Sequence, residues 1–215
     1  MALDAVQQIT TNHSPLEISE SELRLVLHES LKREVINHGG ELNDEVTTTA
    51  VASLAIVLYG DSNYAGVLLQ GDFGCGKTCL MKSAVAALKA VADPFDTGFT
   101  DQAAKVCEVN MSDLLLRSNE DMLEDILDAD YLFIDDVGWE SNFVTAPRIR
   151  EAQTIVAAAI LKRHDEMKPT VLASVFDPIN LGDIYGISAL DVIVECYRII
   201  ELDYDFYKNR KAPRL

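Results

Sequence analysis

Basic side chains are scarce in this sequence: 18 lysines and arginines stand against 35 aspartates and glutamates, a formal charge of −17. Such a surface repels a polyanion, because phosphate contacts need Lys and Arg to displace counterions. Broad, autonomous DNA binding is therefore disfavoured, and any DNA contact is weak or local. The obvious seat for one is the tail cluster Lys208, Arg210, Lys211 and Arg214. The acidity otherwise suits solubility or a protein partner. Cysteine is also sparse. Cys75, Cys79, Cys107 and Cys196 fit a reduced, cytoplasmic chain rather than a disulfide scaffold. No apolar run reaches the roughly 18 residues of a membrane span. The first 22 residues lack the basic start and apolar stretch of a secretory signal. The expectation is a cytoplasmic protein with no membrane contact.

What remains is 215 residues, 48% of them hydrophobic, enough for one core of ordinary size with a short appendage. Residues 1–20 are polar and turn-rich, and at least the first dozen are expected to be loose. From Ser19, a Ser-x-x-Glu start with Leu23, Leu27 and Leu31 at helical spacing predicts a capped helix ending near Gly39-Gly40. Val46–Tyr59 reads as a second helix. After Gly66 short apolar runs alternate with helical stretches. Strands are expected at Val67–Gln70, Val106–Asn110, Tyr131–Ile134, Thr170–Val175 and Ile199–Leu202. Helices are expected at Lys77–Val91, Met111–Arg117, Glu120–Asp128, Arg148–Glu166 and Ala189–Tyr197. That alternation predicts an α/β domain with a parallel sheet covered on both faces. The division expected is a helical appendage over residues 1–60 and the α/β domain over 61–215.

The chemistry is concentrated in Gly71-Asp72-Phe73-Gly74-Cys75-Gly76-Lys77-Thr78, followed by Cys79. The run fits G-x-x-x-x-G-K-[ST] at every fixed position, with a strand before it and a helix after. Its glycines let the backbone turn so that successive N–H groups face one anion-sized concavity, and the helix adds the positive end of its dipole. Lys77 is placed to reach the β- and γ-phosphates, and the Thr78 hydroxyl to ligate Mg²⁺. ATP is the expected nucleotide. Cys75 and Cys79 are read as small apolar residues, with redox sensitivity the less favoured alternative.

A second element is Tyr131-Leu-Phe-Ile-Asp135-Asp136, an apolar strand ending in two acids. Strand ends line the ligand crevice of open α/β sheets, so acids there meet the phosphate loop. Asp135 is the candidate Mg²⁺ holder and Asp136 the residue that polarises the attacking water. Asp136 is one methylene shorter than glutamate. Ser174, at the end of the next strand, is a candidate γ-phosphate sensor. A satisfied strand-end hydroxyl explains it equally well.

From Val67 onward the chain resembles the AAA+ ATPases of the DnaC/DnaI helicase-loader and IstB transposition-helper family. The matching stretches are VLLQGDFGCGKT, VNMSDLLLR, ADYLFIDDVGWE, ILKRHDEMKPTVLAS and YDFYKNR, covering about two-thirds of the chain. The resemblance implies an AAA+ P-loop fold with a reduced or absent lid, and ATP with Mg²⁺ as cofactors. It implies Walker roles for Lys77, Thr78, Asp135 and Asp136, and a sensor-1 role for Ser174. Lys208 or Arg210 falls near the sensor-2 arginine, although a solvated basic tail accounts for both as well. Two departures stand out. Gly186–Val192 contains no arginine where the family supplies an arginine finger, and Val175 replaces the sensor-1 asparagine. Arg148, Arg150 and Arg163 are the candidate substitutes for the finger.

The expected function is a slow or partner-stimulated ATPase acting as a nucleotide switch on a replicative helicase or another DNA-processing machine. ATP-dependent self-association is a further expectation. The N-terminal helices are either the partner-contacting part or simply packed on the core. Two alternatives stay open: a small P-loop kinase phosphorylating a metabolite or nucleotide, and a binding-only regulator whose turnover has decayed.

Overall fold

The computed structural model describes residues 16, 18–60, 63–92, 104–116, 119–142, 148–203 and 207–208. Helix α1 spans Glu20–Asn37, and its start follows the sequence signal. The Ser19 side chain accepts from the Glu22 amide, and the Glu22 carboxylate takes the Ser19 amide at 2.8 Å. This reciprocal box satisfies donors that a helix start leaves open. Then follow strand β1 (Glu41–Leu42), helix α2 (Asp44–Tyr59), strand β2 (Gly66–Gln70) and helix α3 (Lys77–Ala92). The middle of the chain gives β3 (Val106–Asn110), α4 (Met111–Leu116), α5 (Asn119–Asp128), β4 (Tyr131–Asp135) and a 3₁₀ turn, Trp139–Asn142. The rest is α6 (Ile149–Asp165), β5 (Thr170–Ser174), α7 (Pro178–Tyr185), α8 (Ile187–Cys196), β6 (Tyr197–Glu201) and β7 (Tyr207–Lys208).

Five strands form one parallel sheet in the order β3-β4-β5-β2-β6, as the alternation of strands and helices predicts. The middles of the central strands are apolar because both faces are covered. Alternate residues feed two cores. Val67, Leu69, Tyr131, Phe133 and Val171 pack with α1, α2 and α3, while Leu68, Leu132, Ile134 and Leu172 pack with helices on the opposite face. Leu23, Leu27 and Leu31 of α1 are at most 1% exposed and join the first of these cores. Burial of each is worth about 1.5–3 kcal/mol. The described part of the 1–60 segment therefore shares its core with the sheet, and packing, rather than a partner, explains these leucines.

Helix α7 is not among the helices expected from the sequence, although its signal is present. Asp177 caps it by accepting from the Asn180 amide at 2.8 Å, and Pro178 occupies the first turn. β1 and β7 pair antiparallel, Glu41 opposite Lys208, which brings a late segment of the chain beside the end of α1. No helix among the described residues is long and apolar enough to cross a membrane.

Candidate functional site

β2 delivers the chain to the phosphate loop at the carboxyl edge of the sheet. Only glycine fits at position 71, where an added Cβ would lie 2.1 Å from the Leu202 carbonyl oxygen and 2.8 Å from the Cys75 sulfur. Gly74 and Gly76 take φ of 80° and 109°, a region that favours glycine. Lys77 opens α3 and is buried. Its ammonium donates to the carbonyls of Gly71 at 2.6 Å and Asp72 at 2.8 Å, bracing the loop from inside. Cys75 is buried beneath the loop, consistent with its apolar reading, and Cys79 is half-buried on the crevice wall. All four cysteines are free thiols.

β4 places its two acids against this loop. The Thr78 hydroxyl donates to the Asp135 carboxylate. Burial pushes Asp135 above the usual carboxylate range and neighbouring Asp136 adds to the rise, against the pull of Thr78 and Lys77. Asp136 has φ 59°, strained for a non-glycine residue. Its carboxylate accepts from the Asn110 side-chain amide at 2.9 Å. The orientation of Asn110 is internally consistent, because its oxygen accepts from the Ser112 amide at 2.8 Å and so leaves the nitrogen for Asp136.

Two cavities meet at Thr78, Lys82 and Asp136. One, of about 280 Å³, runs from the phosphate loop to Glu34, Val35, His38 and Gly40 at the end of α1. The other, of about 470 Å³, is bounded by Glu108, Asn110, Asp113 and Asp135. Together they make one crevice that runs from the end of α1 past the loop to the two acids. Thr78 and Asp135, already in hydrogen-bond contact, supply two oxygen donors for a cation. Among the described residues no group of three carboxylates, histidines or cysteines forms a metal cage. Such a sparse protein set fits Mg²⁺, which keeps several waters and phosphate oxygens in its shell.

The remaining candidates separate. Phe73 stands on the rim, 61% exposed, its ring edge-on to Trp139 with centroids 5.4 Å apart. The Ser174 hydroxyl donates to the Val137 carbonyl at 2.6 Å and accepts from the Phe176 amide at 3.0 Å. Both of these bonds go to the backbone, and Val175 lines the crevice. Arg163 cannot serve as a finger. It is 1% exposed and donates to Thr170 Oγ1 and to the carbonyls of Ile126, Ala129, Asp130 and Pro169. Desolvation lowers its pKa to about 10. Arg148 donates to the Leu116 carbonyl, and Arg150 is exposed. Lys208 is described only by its strand pairing, while Arg210 lies outside the described residues.

Sequence reasoning misses Asn110 and the α1 end of the crevice. Asn110 has a signal, an Asn one residue before a helix, but that marks a cap rather than a partner for Asp136.

The phosphate loop at the head of β2, the acids at the end of β4 and the strand order define a P-loop NTPase fold of AAA+ type. Solved structures agree. The chain is similar to domain III of the Thermotoga maritima replication initiation protein DnaA, with 19% identity and TM-score 0.54, over 73% of this chain and 62% of that one. A replication initiator DnaA bound to AMPPCP and single-stranded DNA gives 18% identity and TM-score 0.55, over 75% and 48%. The DnaC helicase loader gives 19% identity and TM-score 0.52, over 72% of this chain and 89% of the loader. The chain thus spans less than two-thirds of either DnaA chain and most of the loader. Its sequence matches no family model and no curated protein.

Proposed function

We propose that this protein binds ATP with Mg²⁺, hydrolyses it slowly, and works as a nucleotide switch on a replicative helicase or a related DNA-processing machine. The observation that carries the reading is the convergence of Lys77, Thr78, Asp135 and Asp136 on one crevice. On this reading the loop amides and Lys77 hold the β- and γ-phosphates, Lys77 exchanging its loop carbonyls for phosphate oxygens. Thr78 and Asp135 hold Mg²⁺, which neutralises charge on the phosphates when bound. Asp136 orients and polarises the attacking water.

The neighbours support the nucleotide and the process: one DnaA was solved with an ATP analogue and DNA, and DnaC is a helicase loader. The slow rate rests on the arginines. Gly186–Val192 has none, and Arg163 is consumed inside the fold. An arginine finger is worth about 10³–10⁵ in turnover, so a partner or a neighbouring copy is the natural accelerator. An arginine-rich lid of the kind small kinases carry is missing from Gly182–Val192, which favours hydrolysis over transfer to an acceptor.

Calorimetric titration of ATP and Mg²⁺ tests binding, and phosphate release tests hydrolysis. Wild type should bind ATP and release phosphate in proportion to ATP consumed. Lys77→Ala should lose binding, and Asp136→Asn should bind but not turn over. Label appearing in a small-molecule acceptor would overturn the ATPase reading. Capture of a replicative helicase independently of Lys77 and nucleotide would overturn the switch.

A further inference from the structure

Asp136 is held from behind by an arrangement that the phosphate chemistry does not require. After its strained φ of 59° the chain passes through buried Val137 and then Gly138, at φ 90°. The Val137 amide donates to the Ala173 carbonyl at 2.9 Å, and its own carbonyl takes the Ser174 hydroxyl. The Gly138 amide reaches instead to α7, donating to the Tyr185 phenol oxygen at 2.9 Å. That phenol donates in turn to Glu140 Oε1 at 2.6 Å. Gly138 has to be glycine for this approach, since an added Cβ would lie 2.5 Å from the Phe176 ring.

Glu140 is the expensive member. It is 0% exposed, and its second carboxylate oxygen meets no donor among the described residues. A buried carboxyl with one oxygen left unpaired costs stability that an apolar pair of the same volume would not. Burial raises the pKa of Glu140 and holds Tyr185 above the ordinary phenol range, so the phenol keeps the proton it donates.

We infer that Tyr185 and Glu140 are positioning residues for ATP hydrolysis: the carboxylate aims the phenol, the phenol holds the Gly138 amide, and the Gly138 amide fixes the strained backbone that carries Asp136. The inference rests on the hydrolase reading and adds to it a mechanical link from α7 to the water-polarising carboxylate, made of one hydrogen bond and the backbone between Gly138 and Asp136. Misplacement of a catalytic group by about 1 Å can cost on the order of 100-fold, so loosening this link acts on turnover rather than on nucleotide affinity.

The test is steady-state phosphate release by the full chain carrying Tyr185→Phe, Glu140→Ala or both, with ATP affinity by calorimetry and thermal midpoints as controls. Phenylalanine keeps the packing and loses only the hydroxyl. The expected result is a fall in kcat of about 10-fold for Tyr185→Phe with KM and Kd within about twofold. The double variant should be no slower than the slower single, because both break one linkage. Unchanged kcat in Tyr185→Phe, a KM that rises as kcat falls, or additive losses in the double variant would overturn the inference. A wild type that binds ATP yet releases no phosphate overturns the hydrolase reading itself, and this role with it.

Discussion

The side-chain amide of Asn110 lies 2.9 Å from the carboxylate of Asp136, across 26 residues of sequence. One end of the amide caps α4 through Ser112 and the other holds the acid, so Asn110 links the edge strand β3 to the centre of the chemistry. Asn110→Ala should leave ATP affinity unchanged and lower kcat about 10-fold, because Asp136 loses its orientation. Asn110→Asp should cost more, since it sets a like charge beside the acid. Calorimetry and phosphate release separate the two quantities; an equal loss of affinity would count against an orienting role.

Trp139 is the only tryptophan in the chain, and it stands edge-on to Phe73 of the phosphate loop. Nucleotide binding should therefore change intrinsic fluorescence without any added label. Phe73→Leu should abolish most of that change while leaving calorimetric affinity within a few-fold. A fluorescence response that survives the substitution would mean the signal does not travel through this contact.

Arg163 predicts a stability effect in place of a catalytic one. Arg163→Met removes five donated bonds, among them those to the carbonyls of Ile126 and Ala129. The expected loss is about 3–5 kcal/mol in urea unfolding. Turnover per folded molecule should be preserved.

Glu140 predicts a pH dependence. Burial raises its pKa in the folded state, so the folded chain binds this proton more tightly than the unfolded one. Its contribution to stability is then fully present below the unfolded carboxylate value and is lost as pH rises through the raised folded value. Glu140→Gln should therefore gain on wild type as pH rises through that window. Urea unfolding of both proteins at several pH values checks it, and a constant difference would mean Glu140 does not titrate there.

The α1 leucines give the plainest check on the fold. Leu27→Ala should cost about 2–5 kcal/mol, and a chain lacking residues 16–59 should fail to fold, because one core spans both segments. A stable, ATP-binding fragment starting at residue 61 would instead support a separable appendage over residues 1–60.

The parts of this molecule written in contiguous runs are legible in its sequence. Gly71–Thr78 is one contiguous stretch running from β2 into α3, and Ser19 and Glu22 lie within a single helical turn. The apolar strands are legible because burial on both faces leaves no polar alternation. What stays hidden depends on contacts between distant segments. The Tyr185 phenol and the Gly138 amide are 47 residues apart, and nothing local to either announces the other. Arg163 reads as a candidate finger in the sequence, since only the fold brings the carbonyls of Ile126 and Ala129 to it. Ser174 falls where a sensor belongs, yet its neighbours Val137 and Phe176 absorb both sides of its hydroxyl.

The strand order has a consequence for synthesis. β2, which carries the phosphate loop, pairs with β5 and β6, made about 100 and 130 residues later. A growing chain emerging from the ribosome holds a complete Gly71–Thr78 sequence whose strand lacks its full set of neighbours until residue 201 is out. Even Gly71 is shaped by Leu202, the residue that follows β6. The strand that carries the loop thus gains its last neighbour in the parallel sheet only when β6 has been made.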